Sequence, residues 1–159
     1  MTPKAVFIGV NQHVDPKIPE LSGACGDATA LWALFTDTFP GMTGRLLTDR
    51  YAAHAAVTHA VLELLSSAGT EDVIVISFAG HGSPDGRLML FDTSVTALAE
   101  TTLSMSDLAQ AFRSTKARAV LCILDCCFSG RAPARILEVG ALPEMPLRSP
   151  RFKARAGLF

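Results

Sequence analysis

Several things are scarce in this 159-residue sequence, and each scarcity closes off a class of protein. Four cysteines (Cys25, Cys122, Cys126, Cys127) are too few for a disulfide scaffold, and two of them are adjacent, where mutual bridging is geometrically poor. Reduced thiols are the expectation. No apolar run approaches the roughly 20 residues that cross a bilayer, and Met1-Thr2-Pro3-Lys4 leads into a strand-like segment without a cleavable signal pattern, so a soluble, cytoplasmic chain without a membrane partner is expected. Charge is sparse too, at 18% of residues, with a formal net charge of -1. That balance hides a split. Thirteen acidic and eight basic residues precede Arg131, whereas 131–159 holds two acidic and six basic ones. A uniformly basic, nucleic-acid-binding surface is thereby excluded. No internal repeat or low-complexity block is present.

What the sequence has in quantity is apolar residues, 49% of the total, arranged as alternating strand and helix patterns. Ala5 to Val10 is a continuous run of strand formers, closed by a polar loop with Pro16 and Pro19. From Asp27, Leu31, Trp32, Leu34, Phe35 and Phe39 recur at helical spacing for about three turns, until Pro40-Gly41. A short strand at Arg45 to Thr48 and a helix between Ala52 and Ala68 follow. Asp72 to Ala79 is apolar on both faces, as in a parallel strand covered by helices on both sides. Arg87 to Phe91 resembles a hairpin arm, Ser104 to Asp107 has capping-box spacing ahead of a helix to Ser114, and Ala117 to Leu124 reads as another buried strand. The order predicts an α/β fold: a doubly wound, mostly parallel sheet with helices on both faces and function gathered beyond the carboxyl ends of the strands. The boundary expected from composition falls at Gly130. A compact unit over 1–130 is followed by a basic, proline-containing tail over 131–159, with one short helical pattern from Ala134 to Val139.

Two motifs stand directly after strand patterns, Gly80-His81-Gly82 and Asp125-Cys126-Cys127-Phe128-Ser129-Gly130. If their strands are neighbours, an imidazole and a thiol meet at one edge of the sheet. A thiol attacks a carbonyl as thiolate, and a nearby imidazole both takes its proton and later delivers one to the leaving amine. Amide N–H groups at Gly82 or Cys127 suit the oxyanion of the intermediate. Other readings of these residues are weaker. Adjacent cysteines lack the C-x2-C span of a zinc site, and the glycines around His81 lack the Lys-Ser/Thr of a phosphate loop. Cys122 reads as core packing and Cys25 as packing near Asp27, while His54 and His59 fit a helix surface and His13 the polar loop.

Three stretches taken together resemble the caspase-like cysteine peptidases, nearest to bacterial caspase homologues and metacaspases. They are Ile8-Gly9-Val10-Asn11 with Leu21-Ser22-Gly23-Ala24-Cys25-Gly26-Asp27-Ala28, then Phe78-Ala79-Gly80-His81-Gly82, then Asp125 to Gly130. Caspases place a histidine about 50 residues before the cysteine. Here Cys127 follows His81 by 46 positions. The Gln-Ala-Cys signature of caspases is replaced by Asp-x-Cys-x-Ser-Gly, which resembles the metacaspase form with Phe128 where a histidine is usual. The resemblance implies that His81 and Cys127 are catalytic, with Cys127 rather than Cys126 the nucleophile. It also implies that Asp27 and Asp125 line a pocket for an arginine or lysine before the cut, although a serine common in that pocket is Ala79 here. Protein or peptide substrates are implied, with no cofactor. Calcium activates many metacaspases, but no matching aspartate cluster is found. In the family further strands follow the cysteine motif, so this chain is expected to be the large-subunit part, joined by a small-subunit segment or further domains. Self-cleavage at tail arginines would separate the two. The opposing reading is a catalytically silent caspase-like module that binds within a signalling or defence assembly.

Overall fold

The computed structural model describes residues 2–126. Cys127, the tail over 131–159 and the helical pattern from Ala134 to Val139 lie outside the described residues. Among the described residues seven strands and four helices run in the order β1 (Lys4–Gly9), α1 (Ala24–Thr38), β2 (Thr43–Thr48), α2 (His54–Ser66), β3 (Val73–Ala79), β4 (Gly82–Ser83), β5 (Arg87–Met89), α3 (Leu98–Thr101), β6 (Thr102–Ser104), α4 (Met105–Ser114) and β7 (Ala119–Asp125). A 3-10 turn over Asp49–Tyr51 joins β2 to the approach of α2.

Four strands form a parallel sheet in the order β2-β1-β3-β7. Because β1 and β3 lie inside that sheet, both of their faces must be apolar, and residues 5–9 of β1 and 74–79 of β3 are all buried. Alternation divides them between two cores. Val6, Ile8, Ile74, Ile76 and Phe78 pack with Val57, Val61 and Leu65 of α2 and with Leu108 and Phe112 of α4. Ala5, Phe7 and Val75 face the other way, against Leu31, Trp32 and Phe35 of α1, with the Phe7 and Phe35 rings 5.5 Å apart. Helices therefore cover both faces, and the fold is the doubly wound α/β arrangement that the sequence pattern predicts.

Gly9 is required where the first turn of α1 packs against the end of β1. A Cβ there would lie 2.6 Å from the Ala24 carbonyl oxygen and 2.8 Å from the Ala28 methyl, closer than atoms can pack. At the start of α4 the Ser104 side chain accepts from the amides of Ser106 and Asp107, the cap that the sequence spacing anticipates.

Two expectations need correction. Helix α1 begins at Ala24, not Asp27, and extends over 15 residues, so Asp27 lies within its first turn. Strand β7 is the outer strand of the sheet among the described residues, and Ala119 and Leu121 are exposed; its apolar sequence identified a strand but not which neighbours flank it. The hairpin arm expected at Arg87 is present as β5, antiparallel to β4, and what the sequence did not show is that it lies in a separate sheet in the order β4-β5-β6. Its strands of two and three residues are too short to leave a period. Among the described residues no helix is long and apolar enough to cross a membrane.

Candidate active site at the carboxyl end of the sheet

The chain runs outward from β1 through α1 to β2, then crosses back through α2 to β3 on the other side of β1. Between β1 and β3 the direction of winding reverses, the position beyond whose carboxyl ends open α/β sheets place their functional sites. His81 leaves β3 at that point. Strand β7 is the parallel neighbour of β3, with Ala79 opposite Asp125, and the Gly80 amide donates to the Asp125 carbonyl at 3.1 Å. The two motifs singled out in the sequence are thus joined by one backbone hydrogen bond, one residue before His81 and two before Cys127. Gly80 leaves room for the Phe78 ring, which a Cβ there would approach to 2.8 Å.

His81 is half-buried. Its Nε2 lies 2.8 Å from the Pro19 carbonyl oxygen. A carbonyl only accepts, so Nε2 carries the proton and, in the neutral ring, Nδ1 is left as the basic nitrogen. The second contact is one that sequence reasoning missed. His13, assigned to the polar loop after β1, lies against His81 with ring centroids 5.6 Å apart and planes inclined at 40°. Both His13 ring nitrogens are closed off from solvent, and neither makes a hydrogen bond of normal geometry among the described residues. Burial, then the neighbouring His81, push the His13 pKa below its ordinary value, while the Met89 backbone and the Asp49 carboxylate pull the other way.

The loop that brings His13 and Pro19 to this place is held by acidic side chains. Asp49 Oδ1 accepts from the amides of Asn11 and Gln12 at 2.8 and 3.0 Å. To do so Asp49 adopts a left-handed backbone, φ 43°, which Asp tolerates better than most residues. Asp15 accepts from Lys17 N and, across the site, from Val95 N, both at 3.0 Å, and Val14 N donates to the Phe91 carbonyl at 2.8 Å. These amides hold the Asp15 carboxyl below the usual carboxylate range.

The remaining candidates are placed as follows. Asp27 is exposed in the first turn of α1, where its charge also favours the helix dipole, and Asp125 is exposed at the end of β7. Neither carboxylate forms an ion pair among the described residues. Gly82 opens β4 opposite Leu88, and its neighbour His81 accepts from Met89 N through its carbonyl at 2.9 Å. Cys126 is half-buried and packs against the α2/α4 core. Cys122 is buried within β7 and burial pushes its thiol up to about 11; the Cys25 thiol is raised too, chiefly by burial, and donates to the Gly9 carbonyl. Neither of these two has the character of a nucleophile.

Comparison with known proteins agrees with this fold. The caspase domain family model matches residues 2–152. No curated protein matches the sequence. Among solved structures, protein GSU0716 from Geobacter sulfurreducens superposes with a TM-score of 0.65 at 22% identity, over 82% of this chain and 52% of that one. Pro-Sf-caspase-1 superposes with a TM-score of 0.60 at 13% identity, over 94% of this chain and 56% of that one. The chain spans about half the length of these two relatives. With the family model covering most of its length, the chain belongs to the caspase domain family, a family of cysteine peptidases.

Proposed function

We propose that this chain carries the catalytic dyad of a cysteine endopeptidase, with Cys127 as nucleophile and His81 as its base, cutting after arginine or lysine. The observation that carries the reading is the placement of His81. It emerges from β3 beside the strand that runs into Asp125-Cys126-Cys127, with Nε2–H engaged by the Pro19 carbonyl and Nδ1 left to accept a proton. In the reaction Nδ1 takes the proton of the Cys127 thiol, and Sγ attacks the carbonyl carbon of the scissile bond. The oxyanion so formed receives a hydrogen bond from the Gly82 amide. Collapse of the intermediate breaks the C–N bond as His81 returns the proton to the departing amine, leaving a thioester that water hydrolyses with His81 again as base.

The exposed carboxylates of Asp27 and Asp125 support a preference for a basic residue before the cut, since a guanidinium pairs with carboxylates in fixed, charge-assisted geometry. The same preference would make the sequence its own substrate at Arg131, Arg135, Arg148, Arg151 and Arg155. The packing of Cys126 against the core supports Cys127 as the reacting thiol.

The test is cleavage of fluorogenic peptides ending in arginine, lysine or aspartate by the longest form of the protein, with and without calcium, alongside Cys127→Ala and Cys126→Ala. Cleavage after arginine or lysine that is lost in Cys127→Ala and kept in Cys126→Ala is the expected result. Preference for aspartate would discard the Asp27/Asp125 assignment, and the absence of any cleavage by a folded chain would discard the peptidase. Mass spectrometry after prolonged incubation reads self-processing, and an intact tail in an active preparation would count against it.

A further inference from the structure

We infer that His13 is a positioning residue for His81, a second imidazole laid against the first that holds its plane so that Nε2–H stays on the Pro19 carbonyl and Nδ1 stays available to the thiol. The inference rests on His81 being the base, as proposed above, but its structural part does not depend on peptide cleavage.

His13 is an unusual residue to find closed off in this way. Both of its nitrogens are withdrawn from water without a hydrogen bond of normal geometry among the described residues, which a leucine or phenylalanine in the same place would avoid. What an imidazole ring offers there is a flat wall for a second ring, at a centroid distance of 5.6 Å that lies within the range of aromatic pairs. Among the described residues His81 otherwise has one side-chain hydrogen bond, to Pro19, to fix its orientation, and one hydrogen bond leaves a ring free to pivot about it. The loop that presents His13 is itself braced. Asp49, held in a left-handed conformation, fixes the amides of Asn11 and Gln12 immediately before it. The groups facing His13 are the His81 ring, the Met89 backbone and the Asp49 carboxylate. Burial and His81 together keep it uncharged to lower pH than an exposed histidine, so the wall is neutral when His81 takes up the thiol proton. In more acidic solution His13 charges, and a cation beside His81 opposes the imidazolium that the reaction requires. His13 itself takes no proton from the substrate.

The experiment compares His13→Phe, which keeps a flat ring, with His13→Ala, which removes it, in the full chain. Imidazole nitrogen chemical shifts of His81, assigned with His81→Gln, report its tautomer whether or not any peptide is cleaved. The Nε2–H tautomer is expected in the wild type and in His13→Phe, and a mixture in His13→Ala. If peptides are cleaved, kcat is expected to fall about tenfold or more in His13→Ala with KM little changed, as for a misaligned base. His13→Phe is expected to stay within about twofold of the wild type at neutral pH and to retain activity further into acid. A single Nε2–H tautomer in His13→Ala, or a His13→Phe protein that behaves as His13→Ala does, would overturn the inference. Should His13→Ala fail to fold, His13→Phe decides alone: a mixed tautomer in it contradicts the wall, and its retention supports it. Absence of cleavage with the expected tautomers would overturn the peptidase and leave the positioning of His81 standing.

Discussion

Strand β3 and the loop it feeds are adjacent in sequence and opposite in construction. From Ile74 to Ala79 every residue is buried, and each of the two faces meets a helix layer. Two residues later His81 is half-buried and, among the described residues, is held by one carbonyl and one ring. The strand is fixed by area and shape, which are redundant, whereas the loop is fixed by a few directional contacts, which are not. A substitution in one ought therefore to cost stability and in the other activity, and the boundary between the two behaviours is expected to fall at Gly80.

The sharpest way to break this contrast is at its two ends. Replacing His81 by alanine is expected to reduce kcat by about a thousandfold, as loss of a general base does, with a melting temperature close to that of the wild type. Replacing Phe78, three residues earlier and 1% exposed, is expected to do the reverse: Phe78→Ala should lose about 3–5 kcal/mol in urea unfolding, the range for a large core side chain. At Gly9 the contrast is steric. The added methyl of Gly9→Ala meets backbone atoms of α1, and a loss of about 1–3 kcal/mol is expected. Away from the site, Ser104→Ala removes the cap of α4 and should lower stability by about 1 kcal/mol with no change in activity.

The smallest expected effect is on pH dependence. In the folded chain the His13 pKa is lowered from 6.5, so below about pH 6.5 the unfolded chain binds more protons at this residue. Stability therefore declines as pH falls from about 6.5 toward the folded value and then levels off. His13→Phe removes that contribution, and urea midpoints compared between pH 7.5 and pH 5 should show a smaller acid-side decline in the variant.

The same division explains what was legible in the sequence. The inner strands declared themselves because burial on both faces demands a nearly continuous apolar run, as in Val73 to Ala79, where only Ser77 interrupts. His81 stood out because it directly follows such a strand between glycines. The start of α1 was misplaced because Gly23 gives no side-chain cap and the helix runs through the glycine at 26. The outer position of β7 among the described residues was hidden because an apolar sequence does not name its neighbours. His13 was invisible for a different reason: in sequence it is one histidine in a polar loop, and only the return of β3 beside β1 brings His81 to it. Asp49 was missed likewise, since its partners Asn11 and Gln12 lie on a distant segment.

The most direct test of the proposed dyad needs no substrate. Alkylation by iodoacetamide near neutral pH, followed residue by residue by peptide mapping, reads which thiol is activated and by what. The dyad predicts that Cys127 is modified far faster than Cys25 or Cys122, whose thiols burial holds in the protonated form, and that this advantage disappears in His81→Ala. A Cys127 that reacts no faster than Cys25, or equally fast with and without His81, would contradict it.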